Sequence, residues 1–279
     1  MQLWIGLDAD GFVARAGSFV AETIERNVLA TVLDAVQAGR YREAVFAVAS
    51  DAAGVTAGVA FRTPPHALLA AGHFDEPRAF WDAWLGIDPE TAGVSAETDL
   101  ARSLARAWAE QTGGRVELGV SEALYVLERV IAPQPAASGQ LRLAGFRDRA
   151  QLAGWAAAFA VDAGRPHVEA IVAGVQHSIE QERFYVWDLT GQTVAMIGHA
   201  VVVGGVARVG PVYTPAQLRG HGYATAATAA LSQRLLDRGV QRCMLYTDLA
   251  NPISNHIYAK LGYVRIGAWE VLDLIPEVL

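Results

Sequence analysis

A run of six residues, Arg219-Gly220-His221-Gly222-Tyr223-Ala224, constrains the fold more than any other feature of the chain. Before it lies the β-branched stretch Val206 to Thr214, interrupted by Gly210-Pro211, and after it Thr225 to Arg238 repeats apolar residues at helical spacing. Strand, glycine turn and helix in that order make an α/β element. Two glycines let the backbone close around a ligand, and the first free N–H groups of the helix point outward with the positive end of the helix dipole behind them. Such a start attracts an anion, and phosphate is its natural occupant. Neither G-x-x-x-x-G-K-[ST] nor a G-x-G-x-x-G fingerprint with its downstream acid occurs, which disfavours nucleoside triphosphates and NAD.

The anion site must be local, because the chain carries a formal net charge of −7 and offers no broad basic surface for nucleic acid. No basic n-region with an apolar h-region opens the sequence, and no apolar run approaches the roughly 18 residues that span a bilayer. A cytoplasmic protein with neither nucleic-acid nor membrane partners is expected. The single cysteine, Cys243, excludes an internal disulfide and a cysteine-rich zinc site, and its neighbours Met244, Leu245 and Tyr246 read as core. His199, His221 and His256 fall on separate elements, so no metal is expected. Lys260 is the one lysine among 22 basic residues; with the heavy use of alanine this suggests a GC-rich bacterial genome.

With 279 residues and 52% hydrophobic content, the chain is large enough for two domains. Pro133, Pro135, Ser138 and Gly139 mark a linker at Ala132 to Gly139, giving expected domains at 1–134 and 140–279. The second half reads as strand Leu141 to Phe146, helices Arg149 to Ala163 and His167 to Gln181, and strands Phe184 to Leu189, Val194 to Val203 and Val206 to Thr214. The glycine turn and its helix follow, then strand Arg242 to Thr247, a short helix Pro252 to Lys260, and a final strand pair within Tyr263 to Leu274. The first half repeats this order faintly, with helix Glu22 to Gln37, strands Ala44 to Ala49, Val55 to Arg62 and Ala67 to Ala71, helices Pro77 to Leu85 and Ala96 to Gln111, and strands Val116 to Val120 and Leu124 to Val130. Gly93-Val94-Ser95-Ala96 stands where a glycine turn would open the Ala96 to Gln111 helix.

Arg219 to Ala224 fits the [QR]-x-x-G-x-[GA] signature of the GNAT superfamily of acetyl-CoA-dependent N-acetyltransferases, and the chain resembles that family in a second motif as well. Asn251-Pro252-Ile253-Ser254-Asn255-His256-Ile257-Tyr258-Ala259-Lys260-Leu261-Gly262-Tyr263 is similar to N-x-x-A-x-x-L-Y-x-K-x-G-F, with serine and isoleucine in place of alanine and leucine. A register shifted to Gln217-x-x-Gly220-x-Gly222 is also open, although the lead-in Thr214-Pro215-Ala216 favours Arg219. The resemblance implies an α/β (α+β) fold of two GNAT-like domains, each a mostly antiparallel central sheet flanked by helices, with the first copy degenerate.

The same resemblance implies roles for individual residues. Arg219, Gly220, His221, Gly222, Tyr223 and Ala224 would ring the pyrophosphate of coenzyme A through successive N–H groups, and Arg219 would add its charge. Val212 and Thr214 would meet the pantetheine arm on a strand that splays at Gly210-Pro211, and an N–H near Val212 would polarise the acetyl carbonyl. Asn251 is an N-cap before Pro252 and also a cofactor contact, while Tyr258 would protonate the departing thiolate. Asp248 is the first choice as the base for the attacking amine, followed by Asp188 and Glu270, and Tyr213 would line the acceptor side. The expected activity is direct acetyl transfer from acetyl-CoA to a small-molecule amine. A noncatalytic acyl-CoA-binding regulatory module and a protein N-terminal or lysine acetyltransferase are the alternatives; oligomeric state is left open.

Overall fold

The computed structural model describes residues 2–41, 43–164 and 167–277. In chain order the elements are β1 (Gln2–Gly6), α1 (Ala9–Ala21), α2 (Asn27–Gln37), β2 (Val45–Ser50), β3 (Thr56–Arg62), β4 (Leu68–Gly72), α3 (Pro77–Leu85), β5 (Gly93–Glu97), α4 (Thr98–Thr112) and β6 (Arg115–Leu127). They continue with β7 (Gln140–Leu143), α5 (Arg149–Asp162), α6 (Val168–Glu180), β8 (Phe184–Leu189), β9 (Gln192–His199), β10 (Val206–Tyr213), α7 (Tyr223–Asp237), β11 (Arg242–Asp248), α8 (Pro252–Lys260) and β12 (Val264–Ile275). Two compact units result. The first holds the chain up to Leu124, Thr247–Ala250 and the stretch from Gly267 onward; the second holds Tyr125–Tyr246 and Asn251–Ile266. The units are thus discontinuous, whereas a boundary placed at the Pro/Gly-rich linker treats the two halves as contiguous.

In the first unit β1, β2, β3 and β4 pair antiparallel in succession, β4 pairs with β5 in parallel, and Trp269 to Asp273 of β12 run antiparallel to β5. The core forms where α3 and α4 bring Phe80, Trp81, Trp84, Leu104 and Trp108 onto this sheet, joined by Leu272 and Leu274. Buried indoles need partners. Trp81 donates to the Leu104 carbonyl and Trp84 to Thr91 Oγ1, each at 2.8 Å.

The second unit repeats the pattern. β7, β8, β9 and β10 are antiparallel neighbours, and β10 pairs with β11 in parallel. Leu152, Ala156, Val175, Ile179, Phe184 and Met196 make the core between α5, α6 and the strands. Arg142 braces its edge, with Nε 2.9 Å from Asp188 and its terminal nitrogens 2.8 Å from both Asp148 oxygens and 3.0 Å from Thr193. The guanidinium holds the Asp148 carboxyl below the ordinary carboxylate range.

Several element readings change. The N-terminal strand and α1 escape the sequence pattern; Asp8 caps α1 by accepting from the Asp10 and Gly11 N–H groups at 3.1 and 2.9 Å, and the helix tolerates Gly11 and Gly17 inside it. The expected helix Glu22 to Gln37 is a short 3₁₀ turn, Ile24–Arg26, followed by α2. The strands expected at Val116 to Val120 and Leu124 to Val130 are one continuous strand, β6, and the strand pair expected within Tyr263 to Leu274 is the single strand β12.

The largest correction concerns the first half's counterpart of the glycine turn. Gly93 to Glu97 is strand β5, and α3 is the helix that connects the parallel pair β4 and β5, as α7 connects β10 and β11. The equivalent helix start is therefore Gly72-His73-Phe74-Asp75-Glu76-Pro77, not Gly93 to Ala96. A period match alone does not distinguish a strand that leads into a helix from the helix's own first turn.

Candidate active site

Strand β10 prepares the site by failing to stay paired. Its parallel register with β11 covers Val206, Ala207 and Arg208 opposite Arg242, Cys243 and Met244, and stops there. On its other side the register with β9 shifts between Val209 and Val212. Gly210 sits at φ +143° and Pro211 has no N–H to give, so the ladder is broken where the sequence expects it to be. Val212 and Tyr213 resume pairing with Ile197 and Met196. Thr214 follows, buried, with its Oγ1 lacking any hydrogen-bond partner. An orphaned buried hydroxyl at the end of a splayed strand is a polar group that a ligand can satisfy.

Past Thr214 the chain makes a 3₁₀ turn, Ala216–Leu218, in which the Arg219 N–H is consumed by the Ala216 carbonyl at 3.3 Å. The free donors therefore begin at Gly220, one residue later than the motif suggests. Gly220 and Gly222 lie at φ +84° and +76°, left-handed conformations in which L side chains are strained. A Cβ on Gly220 would meet nothing within 4 Å, and one on Gly222 only Ala137 Cβ at 3.6 Å. Backbone conformation, rather than crowding within the chain, is what requires glycine at both positions. Helix α7 then starts at Tyr223 with no side-chain cap and no acid in its first turn, and its first bond runs from the Ala226 N–H to the Gly222 carbonyl at 2.9 Å. The N–H groups of Tyr223, Ala224 and Thr225 have no partner one turn back. Together with the glycine turn they make a positively polarised helix start of the kind that attracts an anion.

Side chains of the turn have more local work than expected. Arg219 donates from Nε to the Thr214 carbonyl at 2.9 Å, reaches Asp162 Oδ2 from Nη2 at 2.6 Å, and lies 5.7 Å from the Tyr213 ring centroid. Its charge is already engaged. His221 is exposed, approaches the Arg219 carbonyl through Nδ1 at 3.0 Å, and stacks on Tyr223 at 5.5 Å between nearly parallel rings. Ala224 accepts from the Thr228 hydroxyl at 2.8 Å, and the buried Ala226, Ala227 and Ala229 line the helix's inner face.

The second motif forms α8. Asn251 caps it, accepting from the Ser254 N–H at 3.1 Å, and Pro252 occupies the first turn, where a missing N–H costs nothing. Tyr258 is buried between the rings of Tyr125 and Tyr263, 6.4 and 5.9 Å away. Tyr263 exchanges a 2.8 Å hydrogen bond with Ser232 of α7, which ties α8 to the helix bearing the turn. Burial pushes the Tyr258 phenol up to about 12, so it keeps its proton throughout the neutral range. Tyr125, whose hydroxyl donates to Asn255 at 3.1 Å, carries no motif signal in the sequence.

The carboxylates divide by role. Asp188 is held by Arg142 and by the Gly191 N–H, which keeps it below the ordinary range and makes it a poor base. Glu270, in the first unit, is buried and bound by Arg102 through two contacts of 2.9 and 2.7 Å. Both belong to the architecture. Asp248 falls with Thr247–Ala250 in the first unit and accepts from the Ala250 N–H at 2.8 Å. Burial pushes the Cys243 thiol up to about 12, which leaves it protonated and fits its place in the core. Among the described residues no group of three or more His, Cys, Asp or Glu is arranged to hold a metal ion, and no helix is long and apolar enough to cross a membrane.

The model of the acetyltransferase (GNAT) family matches residues 152–263, which include the splayed strand, the glycine turn, α7 and α8. The chain carries a GNAT acetyltransferase domain. A search of curated proteins found no significant match. Among solved structures the chain is similar to a GCN5-related N-acetyltransferase from Sphaerobacter thermophilus, with 16% identity, a TM-score of 0.66, and 99% and 97% of the two chains covered. It is also similar to a GCN5-related N-acetyltransferase from Kribbella flavida, at 19% identity and a TM-score of 0.62, covering 91% and 96%. A tandem GNAT protein from the clavulanic acid biosynthesis pathway matches at 15% identity and a TM-score of 0.61, with both chains covered in full. At these identities the likeness is one of fold, and it extends GNAT-like architecture from the matched domain to the whole chain. The matched domain is that of a GNAT-type acyltransferase.

Proposed function

We propose that the second unit transfers an acetyl group from acetyl-CoA to a primary amine of a small molecule by direct attack in a ternary complex. The observation that carries this reading is the uncapped start of α7 behind two left-handed glycines, next to a strand whose pairing with β11 stops after Arg208. On this reading N–H groups from Gly220 to Ala224 hold the pyrophosphate, Val212 and Thr214 meet the pantetheine arm, and Asn251 adds a contact from its cap position. An N–H near Val212 polarises the carbonyl. Tyr258 then returns a proton to the thiolate that leaves, and a base takes the proton of the amine, the part that the sequence motif offers to Asp248. No nucleophilic side chain stands at a motif position, so no acyl-enzyme is invoked. The first unit lost its phosphate turn and serves as scaffold.

A reducing, cytoplasmic setting suits the lone buried thiol. The test is a thiol-release screen with acetyl-CoA against amines, polyamines, amino acids, aminoglycosides and peptides. Turnover with a small amine supports the reading. Turnover restricted to peptides would make the protein a protein acetyltransferase, and tight acetyl-CoA binding with no turnover on any acceptor would make it a binding module.

A further inference from the structure

Arg219 is the motif residue whose side chain departs most from the role that the motif suggests. Instead of facing the open helix start, its guanidinium spans two other elements. Nε donates to the Thr214 carbonyl at 2.9 Å, where β10 ends, and Nη2 contacts Asp162 Oδ2 at 2.6 Å, where α5 ends. The same group lies over Tyr213, and Tyr213 in turn packs against Trp155 of α5 with ring centroids 6.3 Å apart. Asp162 is otherwise badly placed. A carboxylate in the last turn of a helix faces the negative end of the dipole, so the position is unfavourable unless a cation offsets it. Arg219 is that cation, supplied from 57 residues away.

We propose that Arg219 and Asp162 form a clasp that holds the glycine turn against the end of β10 and fixes it to α5, making Asp162 a positioning residue for cofactor binding. The inference rests on the functional reading above for what the turn binds, but not for the clasp itself. Three contacts converge on one side chain immediately before Gly220 and Gly222, two residues with large conformational freedom to lose. Fixing the chain at Arg219 in the free protein means that less ordering is left for the ligand to bring about, which raises affinity through preorganisation. Because α5 also carries Trp155 against Tyr213, movement of that helix is transmitted to the turn through a second contact.

The alternative role for Arg219 is a direct bond to phosphate, with Asp162 merely holding it in reserve. The two differ in the sign of one effect. If the clasp positions the turn, Asp162→Asn weakens acetyl-CoA binding, by up to about fivefold for a half-exposed ion pair. Arg219→Gln, which also loses the carbonyl contact, weakens it by about tenfold or more, and the double variant is no worse than Arg219→Gln alone. If Arg219 is a phosphate ligand, Asp162→Asn frees it and binding tightens, which would overturn the proposal.

Amide hydrogen exchange of the free protein supplies an arm that needs no ligand. The clasp requires faster exchange at Gly220 to Ala224 in Asp162→Asn, with Asp162→Glu restoring most of the protection, while exchange in the β8 and β9 core is unchanged. Unaltered exchange at the turn in both Asp162→Asn and Arg219→Gln would refute it. Asp162 is 51% exposed, so its replacement leaves the fold intact. A wild-type protein that binds no acetyl-CoA would sink the functional reading, and the exchange result would still decide the clasp.

Discussion

Among the described residues two parallel strand pairs, β4 with β5 and β10 with β11, are each bridged by a helix, and the two helices begin in opposite ways. In the second unit β10 leads through Gly220-His221-Gly222 into α7, an alanine-rich helix with no cap and no acid at its start. In the first, β4 leads through His73-Phe74-Asp75-Glu76 into α3, with Glu76 at the cap position and Pro77 at the first turn. The His73 N–H is used by the Ala57 carbonyl at 2.9 Å, and Pro77 has none. Two acids and a proline at a helix start repel an anion and withdraw a donor, whereas two left-handed glycines expose donors. The shared topology provides a place for the site; on the proposed reading the six residues at the helix start decide whether an anion binds there.

The strongest way to break this comparison is to separate the halves. A fragment starting at Ser138 keeps the glycine turn but strips β12 of β5, its partner in the first unit, and uncovers Trp269, Leu272 and Leu274. Burial of such side chains contributes about 1.5–3 kcal/mol each. Insolubility or loss of a cooperative unfolding transition is expected, as measured by sedimentation and thermal melts. A soluble fragment with the full chain's melting behaviour would show that the residues before Ser138 are dispensable.

Tyr258→Phe comes next in size. The ring packing against Tyr125 and Tyr263 stays and the transferable proton goes, so turnover falls by roughly 10² to 10⁴ while acetyl-CoA affinity holds. Because burial raises the phenol to about 12, the wild-type rate shows no loss from Tyr258 ionisation as pH rises to about 10. A downward limb between pH 8 and 10 that disappears in the phenylalanine variant would contradict the raised value.

The smallest expected effect is a null. Asp75→Asn combined with Glu76→Gln neutralises the start of α3 but restores no donor at Pro77, so the first unit gains no acetyl-CoA binding by calorimetry. Binding gained there would mean that charge alone silences that site.

Much of the second unit was legible because its signals are local. Gly210-Pro211 announces a broken ladder, and the register of β10 with β9 shifts across it while pairing with β11 ends just before it. Asn251-Pro252 announces a capped helix, and α8 starts at Pro252. Long-range pairings left no such trace. The partner of Arg219 is Asp162, on an element that the glycine motif does not touch, and Glu270 looks like a free base until Arg102, 168 residues away, is seen to bind it. The first half misled for a different reason. Its crossover helix is short and aromatic, with Phe80, Trp81 and Trp84 buried, so the longer amphipathic α4 looks more like α7 than α3 does. Similar periodicity, unlike topology, does not identify corresponding helices.

The central claim, that one helix start in this chain binds the cofactor and the other does not, is tested most directly by titrating acetyl-CoA into the intact protein and into Gly222→Val. At Gly222, held at φ +76°, a β-branched residue strains the turn and obstructs the pyrophosphate. The account predicts one site per chain in the wild type and no detectable binding by the folded variant. Two equivalent sites, or unchanged affinity in Gly222→Val with its native circular dichroism spectrum intact, would contradict it.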